Sequence, residues 1–376
     1  MDGVLEVNRF EDLLCHQLAW NALWPDTPHA TFFHSFDWFA TYWRYFGAAQ
    51  RLRALIVQSD GRSRGILPLV VRTEPTRVGR VRVLTYPLHD WGTFYGPIGP
   101  EQAVTLRAGL EHVRTTPRDW DLLDLRWIDD EGADRGLTPQ AMIRAGFQAQ
   151  REVWARASVI EINGSWDAYW KSRTKKWRHN VSRCQRRLSE CGQLTYVRYR
   201  PRGEAHGDAD PRWDLYDTCV RLARCSWQGS STTGTTLSHA EVTEYLHQTH
   251  EVAVRRGCLD LNLLLVDDRP AAFAYNYCYQ GRIFGLRMGY DPELASVGPG
   301  TVLQRLVLED SFRRGDIVYD MGAGYAECKR HWRTSLVASC RYTHFPWSVP
   351  RVQLLRLRRW IRNRWQPDHV AYADSA

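Results

Sequence analysis

Lysine is scarce in this sequence: only four of its 50 basic residues are lysine, and arginine supplies the rest. The nine cysteines include no Cys-x-x-Cys pair, which excludes the common zinc and dithiol redox motifs and is typical of a reduced protein. No run approaches the roughly 18 apolar residues of a membrane-spanning helix, and the first residues lack the pattern of a signal peptide. We therefore expect a cytoplasmic protein with no metal site.

The positive charge is unevenly distributed along the chain. Residues 170–189 contain eight basic residues and no acid, residues 351–366 contain six and no acid, and the rest has 36 basic and 42 acidic residues. The net charge of +8 therefore comes from two short segments. We expect any contact with a polyanion to be local, and a DNA partner is not indicated.

Two halves of the chain show the same order of predicted elements: a β-hairpin, a third strand, a loop, a helix and a closing strand. The first copy covers residues 52–128 and the second covers residues 258–321, and their closing strands carry Asp124 and Asp320 at matching places. A repeat of this length in a chain of 376 residues predicts two tandem α/β domains. We place the boundary near residue 163.

Three further segments lie outside the repeat. Residues 166–190 are nearly free of helix breakers, which predicts a single helix. More helices are predicted at 213–225 and 239–256, separated by a Ser/Thr/Gly loop. The chain ends in a basic amphipathic tail, residues 351–376, which either packs against the second domain or lies on an anionic membrane surface.

Short motifs follow one another in a recognisable order along most of the chain: Ser35-Phe-Asp-Trp38, Gly65-Ile-Leu-Pro-Leu69, Lys175-Lys-Trp-Arg-His-Asn180, Ser226-Trp227, Arg269-Pro-Ala-Ala-Phe273, Gly298-Pro-Gly300, and Asp320 with Lys329. Together they resemble the GNAT acyltransferases, in the CelD-like or FemAB-like branch with two cores in tandem. The resemblance implies an α/β fold (α+β, with mixed sheets). It also implies an N-terminal GNAT-like domain, 1–163, that has lost donor binding and shapes the acceptor side, and a C-terminal acyltransferase domain, 164–350.

The loop Gly298-Pro299-Gly300 precedes a predicted helix, 301–314. Backbone N–H groups at a helix N-terminus bind anions, so this loop is a candidate site for the pyrophosphate of acyl-CoA, and Thr301 and Arg287 complete the candidate cofactor-binding set. The alternative is a plain loop before a helix. The family signature places Arg or Gln three residues before the first glycine, where this chain has Ala295. The donor stays open between acyl-CoA, most simply acetyl-CoA, and the aminoacyl-tRNA of FemAB-like relatives.

In a GNAT core the strand before the phosphate loop separates from the closing strand, and its N–H groups polarise the thioester carbonyl. The resemblance points to Asp320 and Lys329 as catalytic candidates, and Tyr325, which lies between them at the start of a short helical stretch, is a third. Tyr325 would protonate the leaving thiolate and Lys329 would hold a phosphate or acceptor anion. Alternatively, Asp320 caps the following turn and the other two are solvated helix residues. No serine elbow or cysteine–histidine signature occurs, so we expect direct transfer without an acyl-enzyme.

Candidate acceptor residues lie in both halves of the chain. His89 or Asp90, in an aromatic loop of the first copy, offers a base, although adjacent residues of an extended chain point apart and do not form a dyad. Trp227 offers an aromatic face for a sugar ring or a pantetheine arm, and Lys175 and Arg178 offer cations for phosphates or RNA. The expected acceptor is a polar small molecule or glycan, such as a sugar, polysaccharide or cell-envelope precursor. A non-catalytic binding protein on the same fold is the remaining alternative.

Overall fold

The chain divides into two units in the computed structural model, which describes residues 3–231 and 234–365. One unit is built from the described parts of Met1–Arg156 and Val337–Ala376, and the other from those of Ala157–Leu336. Each unit contains strands of a mixed sheet together with helices. The predicted mixed-sheet α/β class is therefore confirmed.

The chain begins with β1 Gly3–Val7, α1 Phe10–Leu14, α2 Gln17–Leu23, α3 Phe36–Phe46, β2 Gln50–Ser59, β3 Arg62–Thr76, β4 Gly79–Thr85, α4 Gln102–Thr115, β5 Leu122–Asp129, α5 Leu137–Arg144 and β6 Gln150–Glu161. It continues with α6 Trp166–Ser172, α7 Lys175–Ser189, β7 Leu194–Tyr199, α8 Trp213–Cys225, α9 Thr243–Arg255, β8 Leu259–Val266, β9 Arg269–Tyr279 and β10 Arg282–Tyr290. It closes with α10 Pro299–Arg314, β11 Val318–Ala323, α11 Ala326–Lys329, β12 Ser335–His344 and α12 Pro350–Trp365.

The first unit contains the strand order β1-β2-β3-β4-β5-β12. Strands β4 and β5 run parallel, and the other neighbouring pairs are antiparallel. Helix α4 joins β4 to β5 and buries Leu106 and Leu110 against β2 and β3. Helix α3 begins at Phe36 because the Ser35 hydroxyl accepts the Trp38 N–H at 3.2 Å. Since Trp38 is fully buried, the motif that starts at Ser35 forms a helix cap and part of an aromatic core.

The second unit repeats this arrangement. Its strand order is β6-β11-β10-β9-β8-β7, with β10 and β11 parallel and the other neighbouring pairs antiparallel. Helix α10 joins the two parallel strands and buries Val302, Leu303 and Val307 in the core. The predicted internal repeat is therefore present in the structure.

The predicted single helix over residues 166–190 is wrong. The chain is extended at Arg173, and the Thr174 hydroxyl then caps α7 by accepting the Trp177 N–H at 3.3 Å. The Arg173 guanidinium donates to the carbonyl groups of Trp332 and Arg333 at 3.3 and 2.7 Å, which holds the break in place. Threonine favours a helix N-cap over a helix interior, so the break has a local cause.

The limits of the two units differ from the predicted 1–163 and 164–350. Strand β12 pairs with β5, so residues after Val337 belong to the first unit, although they follow the second unit in the chain. Helix α12 buries Val352 among Val81, Leu122 and Phe345 of the first unit. Residues 366–376 of the predicted tail lie outside the described residues. None of the described helices is long and apolar enough to cross a membrane.

Candidate functional site

The sheet of the second unit opens between β10 and β11. Three parallel residue pairs join these strands, and the last pair is Phe284 with Asp320. Strand β10 nevertheless continues to Tyr290 and β11 continues to Ala323. The separation expected for the strands before and after the Gly-Pro loop is therefore observed.

Irregularities in both strands cause this opening. The register of β10 on β9 passes from Gly285 directly to Arg287, so Leu286 is an extra residue in a bulge. A similar shift in the pairing of β11 with β6 follows Asp320. Bulges increase local twist and end regular pairing. Gly285 allows the strands to meet just before they part, because a Cβ atom there would lie 3.3 Å from the Asp320 carbonyl oxygen.

The bend at the C-terminal end of β11 is held by Asp320 from one side and by Lys329 from the other. Asp320 is 9% exposed, and its Oδ1 accepts the Gly322 N–H at 2.7 Å. The Nζ of Lys329 donates to the carbonyls of Gly322 and Ala323 at 3.1 and 3.2 Å. Gly322 has a φ of +77°, a conformation that favours glycine. Asp320 therefore caps the turn, as one sequence interpretation held, and Lys329 folds back onto it rather than extending into solvent.

Lys329 has an unusual protonation equilibrium. Burial, with a smaller contribution from the Arg287 guanidinium, lowers the pKa of its ammonium to about 8, although the Asp320 carboxylate acts to raise it. Arg287 is itself fixed by a hydrogen bond from Nε to the Thr235 carbonyl at 2.8 Å. Near neutral pH the lysine is thus poised between its charged and neutral forms. A neutral amine has two N–H groups for these two carbonyls and one remaining lone pair.

Two aromatic residues flank this region. The rings of Trp227 and Tyr325 have centroids 6.0 Å apart, and the two side chains are 45% and 70% exposed. Trp227 donates from Nε1 to the Met288 carbonyl at 3.3 Å. The same carbonyl accepts a hydrogen bond of 3.2 Å from Nε2 of Gln228, which is only 1% exposed. These bonds tie the segment after α8 to the end of β10, beside Arg287.

The Gly298-Pro299-Gly300 loop forms the N-terminus of α10. The helix begins at Pro299, two residues before the predicted start, and Gly298 has a φ of +70°. A Cβ atom at Gly298 would lie 2.9 Å from the Cys184 sulfur, so this glycine also serves close packing against α7. The Thr301 N–H donates to the Gly298 carbonyl at 3.1 Å. Gly298 therefore serves packing and a left-handed turn, and anion binding at this loop stays a prediction.

Helix α7 places its basic residues next to the segment after Lys329. Trp177 stacks on His331 with a centroid distance of 4.6 Å, and burial and the cations Arg330 and Lys176 lower the pKa of that histidine. Lys175 is exposed, whereas Arg178 is half-buried and its Nε has no hydrogen-bond partner among the described residues. Helix α7, the N-terminus of α10 and the Asp320 turn therefore all belong to the second unit.

His89 and Asp90 belong to the first unit. His89 has a φ of +49°, and its Nδ1 lies 3.2 Å from the Tyr42 hydroxyl. Its ring packs against Phe46. Asp90 is exposed. His89 therefore has a packing environment within the first unit, and the role of His89 or Asp90 as a base stays a prediction.

The counterpart of Asp320 in the first unit has a structural environment. Asp124 is fully buried, and it accepts hydrogen bonds from Arg126 at 2.9 Å and Thr343 at 2.8 Å. Arg341 forms an ion pair with it at 3.0 Å. Burial acts to raise the pKa of Asp124, but the two guanidinium groups hold this pKa below its usual value. The two matching aspartates therefore differ in role.

Sequence reasoning missed Gln228 and the bulge at Leu286 as parts of the site. The only sequence signal for the bulge is a glycine, Gly285, within a strand pattern. Nothing in the sequence marks Gln228 as buried. Within residues 3–231 and 234–365, no group of three or more His, Cys, Asp or Glu side chains is placed to hold a metal ion.

Comparison with known proteins supports a GNAT fold. Residues 175–330 match the family described as an acetyltransferase (GNAT) domain. The crystal structure of FemX is similar, with a TM-score of 0.62 and 13% identity over 90% of this chain and 98% of that chain. A conserved protein of unknown function from Bacteroides thetaiotaomicron has a TM-score of 0.54 and 9% identity, over 92% and 100% of the two chains. The C-terminal domain of a putative lysylphosphatidylglycerol synthetase from Agrobacterium fabrum has a TM-score of 0.51 and 9% identity, over 91% and 95%. No curated protein matches the chain.

The molecule thus has the fold of the GNAT acyltransferases, with the core arrangement present twice. At these low identities, the similar structures establish the fold alone. The split strands, the Asp320 turn and the α10 N-terminus all lie within or next to the matched segment.

Proposed function

We propose that the second unit transfers an acyl group, most simply acetyl, directly from acyl-CoA to an amine or hydroxyl of a polar acceptor. The observation that carries this proposal is the opening between β10 and β11, with Lys329 and Asp320 at its edge. An opened strand pair leaves backbone N–H groups that can polarise a bound thioester carbonyl. A sugar, polysaccharide or cell-envelope precursor is the acceptor class that we would test first.

Lys329 is the general base in this proposal. Its neutral amine donates both N–H groups to the Gly322 and Ala323 carbonyls, so its lone pair is available to the acceptor. A pKa of about 8 suits proton transfer near neutral pH. The acceptor nitrogen or oxygen forms a bond to the carbonyl carbon, its proton moves to Lys329, and the carbon–sulfur bond breaks. Tyr325 gives its proton to the leaving thiolate, and Asp320 positions Lys329.

The donor phosphates would lie at the N-terminus of α10. Pro299 has no N–H and the Thr301 N–H is bonded to the Gly298 carbonyl, so an anion here would meet the Gly300 N–H and the partial positive charge at the start of this 16-residue helix. Arg178, whose Nε has no partner among the described residues, and Thr301 are the side chains that we assign to this role. Arg287 instead tunes Lys329 in this account, because it lowers the pKa of that ammonium.

One observation favours aminoacyl-tRNA as a second candidate donor. Helix α7 contains no acid between Lys175 and Ser189. Five of its basic residues are exposed: Lys175, Lys176, Arg183, Arg186 and Arg187. Such a surface binds RNA phosphates, and that binding weakens steeply as salt rises, whereas CoA binding weakens little.

The test is a transfer assay that follows thiol release from acetyl-CoA with a panel of amines, amino sugars and hydroxyl acceptors. Wild-type protein is expected to release CoA faster with at least one acceptor, and Lys329→Met is expected to lower kcat/KM by about 10² or more. Lys171→Met is the matched control, since it removes an exposed lysine from α6 of the same unit. Equal rates for wild type and Lys329→Met would refute the assignment of the base. Activity with aminoacyl-tRNA but not with acetyl-CoA would show that aminoacyl-tRNA is the donor.

A further inference from the structure

Helix α12 turns an apolar face to solvent. Leu354, Leu357, Ile361 and Trp365 are 58%, 52%, 43% and 81% exposed, and their spacing of three and four residues places them on one stripe. Trp360, 55% exposed, lies beside this stripe. We call these five side chains the apolar face of α12.

The opposite face of the helix contacts the first unit through both polar and apolar side chains. Arg359 donates to the Thr343 hydroxyl at 3.3 Å, and Arg362 donates to Glu152 at 2.6 Å. Val352 is the helix residue that is fully buried. An ordinary surface helix buries its apolar stripe and exposes its charges. In α12, Val352 and Leu355 pack on the core of the first unit while the apolar face stays exposed, so the first unit does not need that face for its own packing.

Cations without acidic partners border the apolar face. Residues 350–365 contain six arginines and no acid. Among the described residues, no carboxylate lies within ion-pair distance of Arg356, Arg358 or Arg364. The Arg356 guanidinium lies over the ring of Trp347, which is 70% exposed, at 5.0 Å from its centroid. This surface is therefore apolar at its centre, aromatic at its ends and positive at its rim.

A groove of about 630 Å³ runs along the same helix. It is lined by Gln148, Gln150, Arg356 and Trp360, together with neighbouring residues. Amide and guanidinium groups donate hydrogen bonds to phosphate oxygens. The groove thus adds polar groups that suit a phosphodiester headgroup next to the apolar face.

We propose that α12 binds the surface of a bilayer that contains anionic phospholipids. The apolar face inserts at the boundary between headgroups and acyl chains, and the three arginines without a carboxylate partner contact lipid phosphates. Basic helices with Trp and Leu on one face bind in this way, and tryptophan is enriched at the level of the headgroups. The proposal does not depend on the identity of the acyl donor, since it concerns a surface of the first unit.

The test is sedimentation of the full chain with two kinds of vesicle, phosphatidylcholine alone and phosphatidylcholine mixed equally with phosphatidylglycerol. Wild type is expected to bind the anionic vesicles, to release from them as salt rises, and to bind the neutral ones weakly. An arginine near an anionic surface contributes about fivefold to partitioning, so Arg356→Gln with Arg358→Gln and Arg364→Gln should weaken binding about tenfold or more. Leu354→Gln with Leu357→Gln and Ile361→Gln should abolish it.

Matched controls come from the same unit. Leu18→Gln with Ile143→Gln replaces apolar side chains that are 84% and 65% exposed elsewhere. Arg62→Gln with Arg107→Gln and Arg144→Gln removes three other exposed arginines. Both controls are expected to bind like wild type, and thermal unfolding checks that every variant folds.

Equal binding to both kinds of vesicle, or no binding to either, would overturn the proposal. The proposal would also fail if wild type is a dimer that binds no vesicles and the variant at Leu354, Leu357 and Ile361 is a monomer. The apolar face would then join two copies of the chain. The salt dependence of wild-type binding needs no variant, so the proposal stays open to refutation even if the apolar variant fails to fold.

Discussion

Asp320 and Lys329 both form hydrogen bonds with the backbone of Gly322. The Asp320 carboxylate accepts the Gly322 N–H at 2.7 Å, and the Lys329 ammonium donates to the Gly322 carbonyl at 3.1 Å. This shared contact couples the charge of the aspartate to the protonation of the lysine. It also lies where β10 and β11 part, which is where the proposed chemistry takes place.

The protonation of Lys329 predicts a specific dependence of stability on pH. Burial and Arg287 lower the pKa of this residue from 10.5 to about 8 in the folded protein. The unfolded chain therefore binds more protons between these two values, so folding carries a penalty below pH 8 that disappears as pH rises towards 10.5. The free energy of unfolding of wild type minus that of Lys329→Met should rise by about 3 kcal/mol across this window. Urea unfolding of both proteins at several pH values measures this difference. A difference that does not change with pH would contradict a buried environment for Lys329.

Asp320→Asn removes the negative charge of this side chain but keeps its size and its hydrogen-bond acceptor. The amide oxygen still accepts the Gly322 N–H, but the negative charge that raises the pKa of Lys329 is lost. We expect the limb of the kcat/KM profile that rises through pH 8 to move to lower pH, with little loss at higher pH. Asp320→Ala, which also removes the hydrogen bond, should lower activity at every pH. An unchanged pH profile in Asp320→Asn would show that the two residues are not coupled.

Asp124→Asn is expected to affect stability much more than Asp320→Asn does. Asp124 is fully buried with Arg126 and Arg341 as partners, and removing one member of a buried ion pair costs about 3 to 5 kcal/mol. The free energies of unfolding of both variants measure the contrast. Equal losses would mean that the two aspartates of the repeat have the same structural role.

Tyr325→Phe tests the proposed proton donor. The substitution keeps the ring that faces Trp227 at 6.0 Å and removes only the hydroxyl. We expect kcat to fall about 10²-fold with KM for the donor unchanged. Tyr199→Phe is the control, because it removes a hydroxyl that donates to the Asp210 carbonyl elsewhere in the unit. A rise in KM with constant kcat would instead assign Tyr325 to binding.

Most of the fold could be predicted from local patterns, and the exceptions have physical causes. The hairpins around residues 60 and 280 follow from apolar strands interrupted by Gly-containing turns, and both are observed. The break at Arg173 was missed because a capping Thr174 looks like any polar helix residue until the carbonyls of Trp332 and Arg333 approach it. The pairing of β12 with β5 depends on contacts between distant parts of the chain, which local pattern does not encode.

The site was predictable only in part. Lys329 stood out because lysine is rare, and Asp320 because it repeats Asp124. Their shared contact with Gly322, and the burial that shifts the pKa of Lys329, arise only when the loop folds back onto β11. Gln228 was missed for the same reason, since its partner, Met288, is distant in sequence.

Thermal unfolding of the full chain with acetyl-CoA, longer acyl-CoAs, free CoA and ATP tests the central claim most directly. At one hundred times its dissociation constant, a ligand stabilises the folded state by about 2.7 kcal/mol, which corresponds to a rise in Tm of about 5 to 10 °C. We predict such a rise with acyl-CoA and free CoA, a smaller rise in Arg178→Gln, and a wild-type response in Arg183→Gln. The absence of a shift with every acyl-CoA, or a shift with aminoacyl-tRNA alone, would contradict the acyl-CoA account.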